Sequence, residues 1–280
     1  MGVVTLIYKF GDVEYDLKSR THIMGVLNVT PNSFSDGGKF YDTQSAVDRG
    51  LEMIEQGADF IDVGGESTRP GAESVPASEE LKRVLPVIEK LVNSTKTPIS
   101  IDTYKSVVAK RALEAGAVIV NDISGSHLDP RISEVAASYN ASVILMHIKG
   151  IPRTMQTDPV YDNLIEEICS YIDEGIRVAK SNGIKQIIID PGIGFGKTVD
   201  HNLQILKNLR MFERFEYPIL IGPSRKSFIG KILDLPIDQR LEGTAAASAV
   251  AIMNRANILR VHDVKEIKRV SQIVDAIAHA

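Results

Sequence analysis

The most constraining feature of this chain is an alternation of short apolar runs and helix-like segments that repeats eight times between residues 21 and 280. The apolar runs are rich in isoleucine and valine, which favour strands, and the segments between them place apolar residues at helical spacing. Alternation of this kind is typical of α/β folds with a mainly parallel sheet. The predicted strands are Ile23–Leu27, Phe60–Val63, Ile99–Asp102, Val118–Asn121, Val143–Met146, Ile187–Asp190, Ile219–Ile221 and Ile258–Val261.

Gly57, Gly116 and Gly183 follow three of the helix-like segments, where a helix commonly ends in a left-handed residue. A closed (β/α)8 TIM barrel and an open doubly wound sheet both fit the alternation. One barrel takes about 250 residues, so the 280 residues and the eight repeats favour the barrel. Helices are predicted, among others, at Ser45–Gln56, Ser78–Val92, Lys105–Ala115 and Leu164–Ser181.

Two alternating runs precede the first barrel strand. Val3–Phe10 and Val13–Leu17 are joined at Gly11 and Asp12, which predicts a short N-terminal β-hairpin. We expect this hairpin to cover the bottom of the barrel. The predicted organisation is therefore a single domain over residues 1–280, with the hairpin in residues 1–20 and the barrel in residues 21–280.

Charge and cysteine content exclude several classes of function. A net charge of -4 provides no global field for collecting nucleic acid or anionic lipid, so any anion site must be local. The single cysteine, Cys169, cannot form an intrachain disulfide and lies in a helix-like segment without a motif around it. We interpret it as a buried free thiol rather than a nucleophile.

No targeting or membrane segment is predicted. The N-terminus lacks a basic stretch followed by a long apolar one, and Leu6 breaks the myristoylation pattern. The apolar stretch Thr244–Met253 is much shorter than the ~20 residues that a membrane span needs. We therefore expect a cytoplasmic protein with small-molecule partners, without nucleic-acid or membrane partners.

Each predicted strand ends in a polar residue or is followed closely by one. In a barrel the carboxyl ends of the strands converge on one rim, so groups distant in sequence become neighbours around one ligand. We therefore expect the functional site at this rim. The polar endings are Asn28, Asp62, Asp102, Asn121, His147, Asp190, Lys226 and the pair Arg260 and His262.

Several of these endings suit particular chemistry. Asp190, fixed by the following proline, could accept two parallel hydrogen bonds from an amidine-like edge, although Asp before Pro is also a common turn former. Asp102 and Asn121 follow neighbouring strands, so their side chains can meet. Arg260 and His262 are two residues apart and share one face of the last strand, where they can donate to phosphate oxygens.

Three loops after strands are rich in glycine. The loops over Asn28–Gly38 and Val63–Gly71 each contain a glycine pair, which permits mobile, ligand-covering loops but also fits ordinary turns. The third loop carries Gly196-Lys197-Thr198 after a strand, as a phosphate-binding P-loop does. However, Pro191 occupies the position of the first P-loop glycine and lacks a backbone donor, so we reject nucleotide binding.

The segments over residues 24–38 and 61–71 closely resemble the two signature segments of the dihydropteroate synthase family. The resemblance continues in family order through residues 101–103, 121–125, 146–147, 190–197, 224–227 and 260–263, and spans the chain from Thr21 to its end. It implies a transferase of folate biosynthesis that joins 6-hydroxymethyl-7,8-dihydropterin diphosphate to p-aminobenzoate, with 7,8-dihydropteroate and pyrophosphate as products.

The resemblance also implies roles for individual residues, grouped by the part of the substrates that each would contact. Arg260, His262, Lys226 and Asp36 would be catalytic, with Asp36 assembling the first loop. The pterin would be bound by Asp102, Asn121, Asp190 and Lys226, with apolar support from Ile123 and Met146; the diphosphate by Asn28, Thr68, Arg69, Arg260 and His262; and p-aminobenzoate by Phe34, Pro70, Phe195, Lys226 and Ser227.

Magnesium and a second subunit are further expectations. Asn28 offers a neutral oxygen that suits Mg²⁺, an ion that keeps most of its waters and relies on substrate phosphates. The family is usually dimeric, which implies a homodimer. The helical C-terminus, Val264–Ala280, could supply an interface or could be only the helix that closes the eighth unit.

Two other functions fit a pterin-reading barrel. A methyltetrahydrofolate-binding corrinoid methyltransferase domain would not need the Asp36 loop or the phosphate group formed by Arg69, Arg260 and His262, and these are present. A non-catalytic pterin-binding paralogue is the other alternative. The retention of all the motif residues argues against it, and an assay with both substrates and Mg²⁺ separates the three.

Overall fold

The structure is a computed structural model that describes residues 6–30, 43–69 and 71–280. It begins with two short antiparallel strands, β1 (Ile7–Phe10) and β2 (Val13–Asp16). The chain reverses between them at Gly11, whose φ of 61° lies in the left-handed region that favours glycine. These strands confirm the predicted N-terminal hairpin.

Eight parallel strands follow, and at least one α-helix lies between each strand and the next. The strands are β3 (His22–Asn28), β4 (Phe60–Gly64), β5 (Ile99–Asp102), β6 (Ile119–Asp122), β7 (Ser142–Met146), β8 (Ile187–Asp190), β9 (Leu220–Ile221) and β10 (Ile258–Val261). The helices are α1 (Thr43–Glu55), α2 (Ala77–Ser94), α3 (Ser106–Glu114), α4 (Arg131–Ser138), α5 (Leu164–Ser181), α6 (Val199–Lys207), α7 (Ser227–Leu233), α8 (Leu241–Met253) and α9 (Val264–Ala278), with short 3-10 helices at Leu209–Phe215 and Ile237–Gln239.

The order of the strands identifies the fold as a (β/α)8 barrel. From β3 to β8, each strand pairs in parallel with the next one in sequence, and β10 pairs with both β3 and β9. The circle is completed where Ile189 in β8 forms a parallel bridge with Ile219, just before β9. An open doubly wound sheet would reverse its strand order at a switch point. The predicted barrel is therefore confirmed and the open sheet is excluded.

The hairpin covers the bottom of the barrel, as predicted. Phe10 packs edge-on against Phe60 inside the barrel, with ring centroids 5.0 Å apart. The hydroxyl of Tyr8 donates to the carbonyl of Ile187 at 2.8 Å, which ties the hairpin to the start of β8. One apolar layer thus joins hairpin and barrel; it contains Tyr8, Phe10, Leu17, Met24, Phe60, Ile119, Ile144, Ile188, Leu220 and Ile258.

Two details of the helices agree with the sequence analysis. Gly57, Gly116 and Gly183 follow α1, α3 and α5, and all three have positive φ, as expected of residues that end helices. Cys169 is buried in α5, where desolvation raises the pKa of its thiol to about 11. This environment keeps the thiol protonated and unreactive.

Within the described ranges, none of the helices combines the length and the apolar character that crossing a membrane requires.

Candidate active site

Strand register places several of the predicted residues in one row along the rim. Asn28 lies beside Gly64, Gly64 beside Asp102, and Asp102 beside Asn121, on four successive strands. Gly64 has no side chain, and a Cβ added there would lie 3.4 Å from Asp102 Oδ2 and 3.7 Å from Asn28 Oδ1. The glycine therefore leaves open the space between the side chains of Asn28 and Asp102.

Arg260 forms the electrostatic centre of the rim. Its Nε donates to Asp62 Oδ2 at 2.6 Å, and one terminal nitrogen donates to Asp102 Oδ2, also at 2.6 Å. Asn121 Nδ2 donates to the same Asp62 oxygen at 2.8 Å. Burial disfavours the charged guanidinium, but the carboxylates of Asp62 and Asp102 outweigh burial and raise the pKa of Arg260. Arg260 is therefore a fixed cation that organises two buried acids.

Each of these acids keeps one oxygen without a partner. Among the described residues, no donor contacts Asp62 Oδ1 or Asp102 Oδ1, although both atoms are buried. Burial raises the pKa of Asp102, the charge of Arg260 opposes that rise, and the charge of Asp62 adds to it. Buried acceptors without donors are costly. These oxygens are consequently suited to accept hydrogen bonds from a ligand.

Asp190 is a third buried acid at the rim. Its Oδ1 accepts a hydrogen bond from the backbone of Gly192 at 2.7 Å, and its Oδ2 has no donor among the described residues. Burial raises the pKa of Asp190 to about 6, against the opposing effects of the Gly192 N–H and Lys226. One carboxylate oxygen is thus fixed by the loop, and the other can accept from a ligand.

Apolar side chains form a separate small cluster at the same end of the barrel. Ile123 follows β6, Met146 ends β7 and Phe195 lies in the loop after β8, so the cluster brings together three residues predicted for substrate binding. Flat aromatic ligands are usually held between apolar surfaces of this kind while a few polar groups orient them. The cluster also contains Ile148 and Met155, with Tyr104 and Tyr171 packed against it.

Lys226 lies between the polar rim and the apolar cluster. Its Nζ lies 4.1 Å from the centre of the Phe195 ring, within the distance at which a cation is attracted to an aromatic face. Burial, followed by the charge of Arg260, lowers the pKa of Lys226 to about 8. The next residue, Ser227, is exposed and begins α7.

His262 follows β10 and contacts Ser224 on the neighbouring unit, with Nδ1 and the serine hydroxyl 3.0 Å apart. Burial and the charges of Arg260 and Arg225 lower the pKa of His262 to about 3, so the ring is neutral at pH 7. When the serine hydroxyl donates to Nδ1, the Nε2–H is left to donate to a ligand. Sequence analysis gave Ser224 no role of its own, although this serine begins the motif over residues 224–227.

Lys197, in the loop that superficially matches a P-loop, does not present its amine to solvent. Lys197 Nζ is buried, donates to the carbonyl of Phe195 at 2.9 Å and lies 2.8 Å from His147 Nδ1. Burial lowers its pKa well below the ordinary value. The lysine therefore ties the loop after β8 to the end of β7, which agrees with our rejection of nucleotide binding.

The loop between β4 and α2 is only loosely connected to the rim. Thr68 is partly exposed and Arg69 is exposed, and the Arg69 guanidinium forms no ion pair with any residue that the structure describes. Phe34, Asp36 and Pro70 lie outside the described residues.

The glycine pair Gly64 and Gly65 has a packing role that the sequence did not suggest. Neither residue has a positive φ. A Cβ at Gly65 would lie 2.8 Å from Val84 and 3.0 Å from the side chain of Glu80 on α2. In this conformation Gly65 is needed for close packing on α2 and Gly64 for the space at the rim; that the loop moves stays a prediction.

In the described ranges, no group of three or more His, Cys, Asp or Glu side chains is arranged to hold a metal ion. Asn28, at the open end of β3, keeps the carboxamide oxygen that the sequence analysis identified. A dedicated all-protein metal cage is thus absent from this part of the chain.

Comparison with known proteins agrees with this geometry. The family model for pterin-binding enzymes matches residues 24–262. The dihydropteroate synthase of Clostridium beijerinckii is 48% identical over 272 residues, which cover 96% of this chain and 98% of that protein.

Two solved structures are similarly close. The Yersinia pestis dihydropteroate synthase in a sulfonamide drug complex superposes with a TM-score of 0.93 at 42% identity, covering 98% of this chain and 100% of the other. The Xanthomonas albilineans dihydropteroate synthase with 4-aminobenzoic acid superposes with a TM-score of 0.92 at 38% identity, covering 99% and 100%. The chain belongs to the pterin-binding enzymes and, among them, to the dihydropteroate synthase family.

Proposed function

We propose that this chain condenses 6-hydroxymethyl-7,8-dihydropterin diphosphate with p-aminobenzoate to give 7,8-dihydropteroate and pyrophosphate in folate biosynthesis. The observation that carries the proposal is the buried oxygen of Asp102 that has no donor, beside the buried carboxylate of Asp190, whose Oδ1 accepts from the Gly192 N–H. A pterin ring presents N–H donors along one edge, and these would satisfy such acceptors. Family membership identifies the substrates that fit this chemistry.

The pterin would lie with its polar edge on Asp102, Asn121 and Asp190. Asn121 Nδ2 is already used by Asp62, which turns the carboxamide oxygen towards other donors. The ring faces would contact Ile123 and Met146, which belong to the apolar cluster. Lys226, close to both groups, would donate to a ring acceptor.

The diphosphate would lie over Asn28, Arg260 and His262, with Thr68 and Arg69 contributing from the β4–α2 loop. Two N–H groups of Arg260 donate to Asp62 and Asp102, and its remaining N–H groups would donate to phosphate oxygens. His262 would donate through its Nε2–H. These donors would stabilise the charge that develops on the leaving group.

Magnesium fits this site through Asn28. Mg²⁺ commonly binds proteins through one or two oxygens while keeping waters and substrate phosphates as its other ligands. The carboxamide oxygen of Asn28 matches that pattern, and no group of three or more acidic, His or Cys side chains in the described ranges is arranged to hold a metal ion by itself. When bound, Mg²⁺ would neutralise charge on the diphosphate.

The reaction exchanges a C–O bond for a C–N bond. The C–O bond breaks with its electron pair passing to the diphosphate oxygen, and the electron-rich pterin shares the positive charge left on carbon. The arylamine nitrogen then forms the C–N bond and loses a proton. Phe195, Lys226 and Ser227 would frame the arylamine, together with Phe34 and Pro70, and Asp36 would help to assemble the first loop.

A coupled assay tests the function directly. Pyrophosphate release should require the pterin diphosphate, p-aminobenzoate and Mg²⁺ together, and excess chelator should suppress it. Turnover that is unchanged by chelator would contradict the metal assignment. A protein that binds pterin without releasing pyrophosphate would instead be a non-catalytic binder, and methyl transfer from a folate would indicate the corrinoid-dependent alternative.

We also propose a homodimer that associates through α8. Of the residues in α8, only Glu242 is charged, and the solvent face exposes Val250 and Met253. A helix that is apolar on every side is normally buried, and a second copy of the chain would bury this one. Leu203 and Leu233, on the adjacent α6 and α7, are also exposed.

Light scattering of two variants tests this interface. Val250→Glu should yield monomers, whereas Ile273→Glu, on the exposed face of α9, should leave the dimer intact. The reverse result would place the interface on the C-terminal helix, the location suggested by the sequence. A cytoplasmic location remains an expectation, which fractionation of the source cells tests.

A further inference from the structure

A buried ionic group closes the base of the β4–α2 loop. Glu66 begins the loop, and both of its carboxylate oxygens have partners: Oε1 accepts from the Tyr104 hydroxyl at 3.0 Å, and Oε2 accepts from the Val75 backbone at 3.2 Å and from Lys105. Glu66 is only 8% exposed. The side chain therefore spans from the start of the loop to its end at Val75.

Lys105 holds the same base from the neighbouring unit. Its ammonium contacts Glu66, donates to Glu80 Oε2 at 2.5 Å and donates to the carbonyl of Val75 at 2.7 Å. Glu80 is fully buried in the first turn of α2. Lys105 thus pairs with two buried carboxylates, and its removal would leave both without a counter-charge.

These contacts fix the ends of the loop but not its tip. The segment between Glu66 and Val75 contains Thr68 and Arg69, which are partly exposed and exposed. The close packing of Gly65 on α2 fixes the entry to the loop as well. Beyond Arg69, the Gly71 N–H donates to the carbonyl of Pro152 at 3.2 Å, so the position of Arg69 relative to the rim is set by the ionic base together with this one hydrogen bond.

Tyr104 connects this base to the pterin pocket. Its ring packs against the apolar cluster that contains Ile123 and Met146, while its hydroxyl binds Glu66. Tyr171 packs against the same cluster, but its hydroxyl donates at 2.6 Å to the carbonyl of Ser124, away from the β4–α2 loop. The chain thus contains two tyrosines in similar positions, of which Tyr104 reaches the loop.

We propose that Lys105 and Tyr104 are positioning residues for the diphosphate, acting through Glu66 on the loop that carries Thr68 and Arg69. The inference rests on the proposed function, because it takes the diphosphate to lie beside this loop. Neither residue would contact the pterin edge groups Asp102 and Asp190. Changes at Lys105 or Tyr104 should consequently affect the diphosphate and leave the bare pterin ring largely unaffected.

The test compares calorimetric affinities for 6-hydroxymethylpterin and for its diphosphate in the presence of Mg²⁺. The gain in affinity due to the diphosphate is the quantity that matters, because a general loss of structure would weaken both ligands. Tyr104→Phe keeps the ring and removes the hydrogen bond to a carboxylate, so the gain should fall on the order of tenfold. Tyr171→Phe is the matched control and should keep the full gain.

Lys105→Met is the stronger variant and should abolish most of the gain. Because the charge of Glu80 raises the pKa of Asp102, this variant should also bind the bare pterin slightly more weakly, so the gain alone is compared. If this variant does not fold, Tyr104→Phe still decides the question. An unchanged gain in Tyr104→Phe, or an equal loss in Tyr171→Phe, would overturn the inference alone. A wild-type protein without any gain from the diphosphate would overturn the diphosphate site of the proposed function, and this inference with it.

Discussion

At the bottom of the barrel, buried charge is fully paired, whereas at the rim it is left with unpaired oxygens. Asp59, which precedes β4 at the bottom, accepts hydrogen bonds from Arg20, from the backbone of Ile23 at 2.8 Å and from Lys268 at 3.3 Å. At the rim, Asp102 keeps a buried oxygen without a donor. The bottom of the barrel therefore carries an ion-pair site that stabilises the fold. The rim carries a site whose unpaired oxygens cost stability and can accept hydrogen bonds from a ligand.

The pKa values express the same contrast. At the bottom, burial alone would raise the pKa of Asp59, but the hydrogen bonds from Arg20 and Ile23 and the charge of Lys268 hold it below the ordinary value. At the rim, burial prevails and raises the pKa of Asp190 to about 6. The fold thus favours the charged form of the first carboxylate and disfavours the charged form of the second. A comparison of the two ends provides the following predictions.

The largest expected difference is between two arginines that pair with carboxylates: Arg260, mostly buried at the rim, and Arg20, exposed at the bottom. Arg260→Met should lower kcat on the order of 10³-fold, because the leaving diphosphate loses its fixed cation and Asp62 and Asp102 lose their partner. Arg20→Met removes the equivalent partner of Asp59 at the bottom. Arg20→Met should lower the free energy of unfolding and leave kcat nearly unchanged. Steady-state kinetics and urea unfolding measure the two effects. Equal losses of kcat in the two variants would contradict the division between a catalytic rim and a stabilising bottom.

A change in the apolar bottom should have the opposite consequence. Phe10→Ala empties a buried site against Phe60 and should lower the free energy of unfolding by about 3 to 5 kcal/mol, without changing pterin affinity. Ile7→Ala, on the same strand but exposed, serves as the control and should unfold as wild type does. A loss of pterin affinity in the folded Phe10→Ala protein would show that the hairpin influences the rim.

Replacement of single carboxylates tests the contrast in pKa. Asp190→Asn should weaken pterin binding about 10- to 100-fold, because an amide donor would face the donors of the ligand. The same variant should be more stable than wild type at pH 7 by about 2 kcal/mol. The raised folded pKa makes wild type gain stability as pH falls through 6 towards the unfolded pKa, so the difference should vanish near pH 4.

Asp59→Asn is the matched variant at the bottom and should lose about 1 to 3 kcal/mol at pH 7. Because the folded pKa of Asp59 is lowered, its contribution is present above the unfolded pKa and is lost as pH falls through the folded pKa. Unfolding titrations from pH 4 to pH 8 distinguish the two carboxylates. Destabilisation of both variants at pH 7 would mean that burial of the charged Asp190 carboxylate does not lower the stability of the folded protein.

Much of this contrast could be predicted from the sequence. Strand ends are local features of the sequence, because an apolar run that stops at Asp102 or Asp190 indicates both a strand and the position of its carboxyl end. The barrel then brings the carboxyl ends of its strands together. The hairpin and the helix ends at glycine are local in the same sense. Glu66 could have been noticed as the acid nearest the end of β4.

The pairings between side chains could not be predicted in this way. Arg260 reaches Asp62 across a separation of 198 residues, a contact created only when β10 closes against β3. Likewise, the burial of Lys197 against His147 depends on how two loops pack. Sequence pattern identifies which groups reach the rim, but the partner of each group depends on tertiary geometry.

The smallest expected effect concerns the order in which ligands bind. We predict that p-aminobenzoate binds the free protein negligibly and binds clearly once pterin-site and pyrophosphate-site ligands with Mg²⁺ are present, because its site would be complete only when the loops after β3 and β4 close over those ligands. Arg69→Ala or Asp36→Ala should weaken this dependence and leave bare pterin binding nearly intact. Titration into free and loaded protein measures it, and equal affinities would mean that the arylamine site is preformed.

The central claim is that the buried rim carboxylates receive the N–H donors of the pterin. Donors to the charged form of a carboxylate lower its pKa, so binding should release protons from the fraction of Asp190 that is protonated. Calorimetric titration of 6-hydroxymethylpterin at pH 6, in buffers of different ionisation enthalpy, measures that release. We predict the release of roughly half a proton from Asp190 per pterin bound, and a smaller release from Asp190→Asn. Binding without proton release in wild type, or with equal release in both proteins, would contradict it.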